Sequence, residues 1–352
     1  MIKKSLKRII NKINTQSSKE LEETKNSKDK HDQKNDSEIP QEGKEENKWN
    51  NKLKRDDENS YEEIYQVIDG WMNEEEAPLF NNIEIEIINR CNGTCSFCPV
   101  NKNVDTRELK YMDENLLKKI IDELSEMNYE GTIAFHSNNE PLLDKRLVSF
   151  LEYAKEKLPN NLVYLFTNGT LLNLDKFKEL VNVLDLIIID NYNDKKEMIP
   201  PIKEVFKYCL ENPELKEKVY IDMRLENQIL TSRGGEANNR NEVNLLKSSC
   251  YLPYTKIVVQ PDGTVPLCCC DPFAKVILGN VSDEKISDIW YGEKYTELRE
   301  KLHKKEYSRK DLELCNECDV LITEIDSSSY YLNNISNKWK QLKKYEKDLE
   351  SE

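Results

Sequence analysis

The sequence predicts an α/β protein built around a parallel sheet. Short runs rich in β-branched residues alternate with amphipathic helical stretches from about residue 82 onward, and Gly, Asn or Asp bounds each run. Repeated alternation of this kind indicates either a barrel or an open doubly wound sheet. Both folds place their active sites in the loops after the carboxyl ends of the strands, so we expect the functional residues there.

Five strands are predicted in chain order, with a helix between each strand and the next. The strands cover residues 83–88, 132–135, 162–166, 186–189 and 219–223. Apolar residues at helical spacing mark the helices at about 116–127, 147–158, 177–184 and 202–210. Asp113 is well placed to cap the first helix, because an Asp side chain can accept hydrogen bonds from the N–H groups of the first turn.

Composition narrows the class of protein. The 352 residues include 52 Lys and Arg against 66 Asp and Glu, a net charge of −14, and no long basic stretch that would bind nucleic acid. No apolar stretch is long enough to span a membrane, and the N-terminus lacks an export signal. Ten cysteines without an export signal indicate a reducing compartment and metal or catalytic use, so we expect a cytoplasmic protein.

The N-terminal part is predicted to be a disordered, charged extension over residues 1–75. Within it, residues 17–60 carry only four apolar side chains, too few to offset the entropy of an ordered chain. Residues 1–13 place five Ile and Leu side chains on one helical face among Lys and Arg. That face could make a weak contact with a membrane surface. A frayed terminus is the alternative, since the segment is short.

Three cysteines, Cys91, Cys95 and Cys98, follow the first predicted strand with the spacing C-x3-C-x2-C. Thiolates at this spacing can converge on one iron–sulfur cluster from a single loop, and Gly93 lets the backbone fold tightly round it. Three ligands for four irons leave one iron open to an exogenous ligand. Zinc is the alternative, but a structural zinc site would need a fourth ligand, and the nearest His is His136.

The spacing, with Phe97 directly before the last cysteine, resembles the signature loop of the radical S-adenosylmethionine (SAM) superfamily. The resemblance implies a partial (β/α)6 barrel of the TIM type. It also implies that the open iron binds SAM, and that an electron from the cluster cleaves SAM to methionine and a 5′-deoxyadenosyl radical. That radical would abstract a hydrogen from the substrate, with Cys91, Cys95 and Cys98 as the catalytic cluster ligands.

Further motifs follow the second and third strands. The run Ser137-Asn138-Asn139-Glu140-Pro141 resembles the Gly-Gly-Glu motif of the superfamily, which implies that Glu140 binds the SAM ammonium. Two Asn residues replace the glycines, and Asn tolerates unusual backbone angles. Thr167-Asn168-Gly169 resembles the Thr-Asn-Gly loop beside the ribose, although Asn-Gly alone is an ordinary turn.

Two charged residues end later strands. Asp190 and Asn191 are candidates to bind the ribose hydroxyls, with helix capping by the Asp as the alternative. Arg224 could pair with a carboxylate of SAM or of the substrate, with a surface salt bridge as the alternative.

A second group of cysteines lies near the C-terminus. Cys250 and Cys268 flank a predicted hairpin with its turn at residues 261–263, and Cys315 and Cys318 form a C-x2-C pair. The pattern resembles the auxiliary-cluster region of the SPASM/Twitch subgroup. The shorter Twitch form with one auxiliary [4Fe–4S] cluster fits better, because no cysteine follows Cys318. A zinc ribbon has the same ligand count and is the alternative.

Three cysteines remain. Cys269 and Cys270 could be bystanders, a hydrogen-atom donor or a substitute ligand, and Cys209 is predicted to be core.

Taken together, the resemblance implies an enzyme with two [4Fe–4S] clusters and SAM that oxidises a small hydroxylated molecule such as a sugar or aminocyclitol. A flavodoxin- or ferredoxin-type protein would supply electrons. The expected domains are the barrel at 76–235, the auxiliary-cluster region at 248–320 and a polar helical tail at 321–352. A radical epimerase with Cys270 as hydrogen donor, a peptide maturase, and a non-catalytic iron–sulfur or zinc module are the alternatives.

Overall fold

The computed structural model describes residues 77–237, 249–250, 252–303, 309–310, 312–320 and 327–350, together with residues 66, 68–70, 72 and 239. The amphipathic segment at 1–13 and the stretch 17–60 predicted to be disordered lie outside the described residues.

The main sheet has six parallel strands in the order β5-β4-β3-β2-β1-β6. The strands are β1 (Asn82–Ile85), β2 (Thr132–Ala134), β3 (Val163–Thr167), β4 (Leu186–Tyr192), β5 (Val219–Arg224) and β6 (Lys256–Val259). The first five confirm the predicted strands. Within the described residues β5 and β6 are the two edges of the sheet, as expected for a partial barrel.

The sixth strand comes from the segment predicted to hold the auxiliary cluster. β6 pairs in parallel with β1 from Asn82 opposite Lys256 to Ile85 opposite Val259. The predicted turn at residues 261–263 is confirmed, since the Gln260 N–H donates to the Thr264 carbonyl at 2.9 Å across it. The ladder partners of the two strands that flank the turn were not predicted, because β6 pairs with β1. β7 (Thr264–Pro266) pairs instead with β8 (Ile277–Asn280) in an antiparallel two-stranded sheet.

Four helices connect the first five strands: α1 (Glu114–Glu126), α2 (Leu147–Lys157), α3 (Leu174–Val183) and α4 (Pro200–Glu211). Asp113 caps α1, since its carboxylate accepts a hydrogen bond from the Asn115 N–H at 2.8 Å. Cys209 is fully buried in α4, as predicted.

Side chains alternate between the two faces of each strand, and the two faces differ in chemistry. One face is apolar and joins the helices in the core, as with Ile83, Ile133, Leu165 and Ile187. The opposite face, here called the lumen face, carries most of the polar and aromatic side chains of the sheet. By strand register it includes Asn82, Glu84, Tyr164, Phe166, Ile188, Asp190, Tyr220, Asp222, Arg224 and Lys256.

The C-terminal part adds short helices and one long helix. They are α5 (Leu252–Thr255), α6 (Ile286–Trp290), α7 (Glu293–His303), α8 (Glu313–Asn316), α9 (Ser327–Leu342) and α10 (Lys347–Glu350). The predicted polar tail contains α9, which packs against β5 and buries Trp339 and Leu342. No helix in the described part of the chain is long and apolar enough to cross a membrane.

Candidate active site

The first three cysteines lie in the loop directly after β1. A β-carbon built on Gly93 would stand 3.4 Å from the Cys91 Sγ and 3.9 Å from the Cys95 Sγ, so the two sulfurs converge on the same side of Gly93. The Cys98 N–H donates to the Cys95 carbonyl at 3.1 Å. Asn101 holds the loop from outside, because its amide donates to the carbonyls of Cys95 (3.2 Å) and Cys98 (2.9 Å).

The thiols of this loop lie close to one another and to Glu140. Burial, followed by the charges of Glu140 and Cys98, raises the pKa of Cys91 to about 12, and burial with the charge of Cys98 does the same for Cys95. Such thiols become thiolates only when a metal supplies positive charge. No group of three or more His, Cys, Asp or Glu among the described residues could hold a single metal ion.

Glu140 joins the loops after β2 and β3. Its Oε1 accepts hydrogen bonds from the Thr167 hydroxyl at 2.8 Å and the Leu142 N–H at 3.0 Å, and its Oε2 accepts one from the Asn168 N–H at 2.7 Å. The side chain is buried, which raises its pKa to about 7. These bonds make Glu140 a clamp between two predicted SAM-binding loops, and its contact with the SAM ammonium stays a prediction.

Asn168 links this clamp to the cluster loop. Its side-chain amide donates to the Asn92 side-chain oxygen at 2.8 Å and lies 3.8 Å from the Cys91 Sγ. Thr167 and Asn168, predicted beside the ribose, are thus placed together with Glu140 and Cys91.

Asp190 and Arg224 form a buried pair on the lumen face. The Arg224 Nε donates to the Asp190 Oδ1 at 2.8 Å and lies 3.2 Å from the Asp222 Oδ2. Asp190 does not cap α4, whose cap is Ile199. Arg224 does form ion pairs with carboxylates of the protein, but these pairs are largely withdrawn from the surface, since the Asp190 and Arg224 side chains are each 12% exposed. Contact of either residue with SAM stays a prediction. Phe97 is buried and contacts the ring of Tyr192, whose hydroxyl donates to Asp190 at 3.3 Å.

A second buried pair on the lumen face joins β1 to β6. The Lys256 ammonium donates to the Glu84 carboxylate, and both side chains are less than 10% exposed. Burial opposes ionisation of Glu84, yet the charge of Lys256 holds its pKa below the ordinary value. In the sequence of β1, Ile and Glu alternate, and this pattern could have indicated that one face of the strand is polar. The role of Lys256 could not be predicted from the residues around it, because it depends on the pairing of β6 with the distant strand β1.

His136 lies beside this pair, at the end of β2. Its ring contacts Phe166 with 4.4 Å between centroids, and its buried Nδ1 has no hydrogen-bond partner within the described residues. Burial lowers the pKa of His136 to about 4, so the imidazole is neutral at physiological pH. The lumen face thus offers an uncharged polar atom next to an ion pair.

The auxiliary-cluster region touches the SAM motif directly. The Cys269 carbonyl accepts hydrogen bonds from the Asn138 amide at 2.9 Å and from the Arg233 guanidinium at 3.4 Å. Arg233 also donates to the Asn138 side-chain oxygen at 3.1 Å. Arg233 was missed from sequence because it lies in a Gly-rich stretch that reads as a domain boundary.

The four predicted auxiliary ligands converge. Burial raises the pKa of Cys315 well above its ordinary value, and the charges of Cys268, Cys250 and Cys318 raise it further. The buried Arg309 lies among these sulfurs and donates to the carbonyls of Ser249 (3.1 Å), Val320 (3.0 Å) and Cys318 (3.4 Å). Arg309 was missed because a single Arg in a polar stretch gives no pattern.

Cys270 is a fifth thiol at the auxiliary site. Its backbone N–H donates to the Cys268 Sγ at 3.3 Å, and its side chain is buried close to Cys268, Cys269 and Cys318. The Cys269 thiol lies within electrostatic reach of Arg233 and of Glu84 and Lys256, two residues of the lumen face.

Comparisons with known proteins agree with this geometry. The model of the radical SAM superfamily matches residues 85–203, and the model of SPASM, an iron–sulfur cluster-binding domain, matches residues 250–319. The S-adenosyl-L-methionine-dependent 2-deoxy-scyllo-inosamine dehydrogenase of Niallia circulans is 30% identical over 257 residues, which are 72% of this chain and 98% of the relative.

Solved structures show the same similarity. A crystal structure of BtrN in complex with AdoMet and 2-DOIA has a TM-score of 0.61 at 31% sequence identity, and covers 71% of this chain and 97% of its own. Selenomethionine BtrN in an open conformation has a TM-score of 0.51 at 28% identity, with 69% and 94% covered.

Proposed function

The chain belongs to the radical SAM superfamily, and from that premise we propose that it dehydrogenates a small aminocyclitol with the help of SAM and two [4Fe–4S] clusters. Its class as a SAM-dependent iron–sulfur oxidoreductase follows from the relatives. The aminocyclitol is proposed because the relative from Niallia circulans is named for oxidising 2-deoxy-scyllo-inosamine.

The residues of the chain divide into two proposed ligand sets and a binding face. Cys91, Cys95 and Cys98 would hold the first cluster, and Cys250, Cys268, Cys315 and Cys318 the auxiliary cluster. When bound, SAM and the clusters would supply the removal of a hydrogen atom and then of one electron from the substrate carbon, and the ketone would form as the hydroxyl group on that carbon releases its proton to water.

SAM would bind in the loops that end β2 to β5. Glu140 keeps Thr167 and Asn168 beside Cys91, and Asp190 with Arg224 presents paired charges to the ribose and carboxylate of SAM. Phe97, packed on Tyr192, closes the apolar side of the cluster loop. Together these contacts would orient SAM and exclude water from it.

The observation that carries the proposal is the contact between the two halves of the site. Asn138 belongs to the predicted SAM motif, Cys269 follows the auxiliary ligand Cys268, and the two residues are joined by a 2.9 Å hydrogen bond. A substrate on the lumen face would therefore lie close to both clusters. This proximity favours net oxidation, in which the auxiliary cluster accepts the second electron.

Epimerisation is the second candidate, and one observation favours it. The Cys269 thiol faces the lumen side, where Lys256 and Arg233 lie near it, and it could return a hydrogen atom to a substrate radical. Cys270, the donor expected from sequence, is buried beside the proposed auxiliary ligands Cys268 and Cys318. An epimerase would leave the substrate hydroxyl in place and incorporate solvent deuterium, whereas a dehydrogenase forms a ketone.

The remaining partners are also proposals. We infer a cytoplasmic enzyme that receives electrons from a flavodoxin- or ferredoxin-type protein, because its ten cysteines belong in a reducing compartment. Residues 1–13 could add a weak contact with a membrane surface.

Anaerobic reconstitution tests the proposed function. Wild-type protein should bind about eight irons per chain, and with 2-deoxy-scyllo-inosamine it should form 5′-deoxyadenosine and a ketone in equal amounts. Cys250→Ala should keep about four irons and substrate-dependent 5′-deoxyadenosine formation but lose the ketone. The matched control is Cys209→Ala, which removes a buried core thiol of α4 and should keep both clusters. Ketone formation by Cys250→Ala at the wild-type rate would contradict the proposal.

A further inference from the structure

Helix α9 is docked against the free edge of the sheet. The buried Trp339 donates its indole N–H to the Val219 carbonyl of β5 at 2.8 Å, and its ring stacks on Phe206 with 5.6 Å between centroids and 9° between planes. Lys338 forms an ion pair with Asp222 on the lumen face. The helix begins at Ser327. It therefore lies beyond residue 319, where the match to the iron–sulfur domain ends.

Tyr331 extends from α9 across the lumen face. Its ring meets Tyr220 of β5 edge-on at 5.0 Å and Phe166 of β3 at 5.1 Å. In the register of the sheet, Ile188 of β4 lies between those two residues. Tyr331 therefore covers the β4 position, and its ring is here called the wall of the lumen face.

The polar neighbours of this wall are the charged pair at the carboxyl ends of β4 and β5. Tyr331 lies within electrostatic reach of Arg224, Asp190 and Asp222, and burial raises its pKa so that the phenol stays protonated. A protonated phenol can both donate and accept a hydrogen bond. Its ring also presents an apolar face of the kind that packs on the C–H groups of a cyclitol.

We propose that Tyr331 is a specificity-determining residue, whose ring limits the size of the substrate and whose hydroxyl binds one of the substrate hydroxyl groups. The inference rests on the proposed function, because it takes the aminocyclitol to lie on the lumen face. It assigns to α9 a part in substrate binding that the sequence did not indicate.

The test compares Tyr331→Phe with wild type in the full-length, reconstituted enzyme. Loss of one hydrogen bond between neutral groups should raise the KM for 2-deoxy-scyllo-inosamine about tenfold, with kcat within about twofold. Calorimetric titration of the aminocyclitol into the enzyme–SAM complex should show the same weakening of Kd. The iron content should not change.

Two further variants complete the design. Tyr331→Ala should open the wall and allow oxidation of an N-acetylated aminocyclitol that wild type rejects. Tyr345→Phe makes the same chemical change in the turn after α9 and should behave as wild type.

The outcomes separate the two proposals. If wild type forms the ketone and Tyr331→Phe binds the aminocyclitol as tightly as wild type does, Tyr331 has no role in specificity. If wild type cleaves SAM but neither binds nor oxidises any aminocyclitol, the proposed function fails and the inference fails with it.

Discussion

Glu86 shows how a single buried carboxyl on the lumen side couples the site to pH. Its Oε1 accepts a hydrogen bond from the Asn138 N–H at 2.6 Å, and its Oε2 is buried without a partner within the described part of the chain. Burial raises the pKa of Glu86 from 4.5 to about 7. Between those values the folded chain holds a proton that the unfolded chain has lost. Protonation of Glu86 therefore contributes its full amount to the free energy of unfolding below pH 4.5, and this contribution is lost as the pH rises through about 7.

Glu86→Gln should remove this dependence, because a Gln side chain is neutral at every pH and its oxygen can still accept the Asn138 N–H. We expect the variant to match wild type near pH 5 and to be more stable by up to about 3 kcal/mol near pH 8. Urea unfolding of both proteins across this range, without oxygen, measures the difference. A difference in unfolding free energy that does not change with pH would contradict the account.

Arg309 should control the potential of the proposed auxiliary cluster. A buried guanidinium among the cluster sulfurs stabilises the more negative, reduced state, so removing its charge should lower the reduction potential. Arg309→Gln is expected to lower the potential by tens of millivolts and to slow ketone formation more than 5′-deoxyadenosine formation. Arg309→Lys keeps the charge and is the matched control. Redox titration followed by electron paramagnetic resonance makes the measurement, and equal potentials in all three proteins would refute this role.

At the scale of single residues, the sequence predicted the parts of the site that stand in local motifs. The cysteine spacing placed Cys91 and Cys95 in one loop, and the structure brings their sulfurs together. Lys256, Arg233 and Arg309 were missed, because each acts through a contact with a distant segment and has no neighbours that mark it. Cluster binding by the chosen cysteines stays a prediction.

At the scale of elements, the loop between β3 and α3 depends on a glycine. Gly169 has φ of +70°, and a β-carbon there would lie 2.5 Å from the Ile202 Cδ1 of α4. The positive φ and the close approach each exclude a larger residue. The Thr167-Asn168-Gly169 motif is therefore a packing requirement as well as a candidate ribose contact.

Gly169→Ala should destabilise the protein by about 2–4 kcal/mol and displace Asn168 from Cys91. Thermal unfolding measures the first effect, and loss of SAM affinity at unchanged iron content measures the second. Gly70→Ala is the control, since a β-carbon on Gly70 meets no atom of the described residues within 4 Å. An unchanged melting temperature for Gly169→Ala would show that the loop adapts to the methyl group.

The elements that the sequence predicted well are those whose pattern is local. The first five strands and four helices follow from the period of their apolar residues, and each lies between neighbours in sequence. The pairing of β6 with β1 was missed because nothing in the residues of β6 identifies β1 as its partner. The helix α9 was read as a polar tail because its contacts, through Trp339 and Tyr331, are few and widely spaced.

At the scale of the whole molecule, the barrel and the auxiliary-cluster region are one folding unit. β6 supplies the edge of the main sheet, and the ion pair between Lys256 and Glu84 is buried between the two parts. Trp290 of α6 also donates to the Pro78 carbonyl at 3.0 Å and packs on Phe80 ahead of β1. The matches to the two family models cover separate parts of the sequence, but in the structure these parts share one sheet and one core.

A chain that ends between Ala237 and Ser249 should consequently fail to fold as a barrel. Without the C-terminal part, the edge of β1 would be unpaired and Glu84 would be buried without Lys256. The apolar side of the sheet beside Phe80 would also be uncovered. Each of these changes promotes aggregation. We expect little monomeric protein by size-exclusion chromatography and no bound SAM. Co-expression with the remaining C-terminal segment, from Ser249 to Glu352, should restore a soluble complex, because strand pairing between β1 and β6 needs no covalent link. A monomeric N-terminal fragment that binds SAM by itself would show that the sheet is complete without β6.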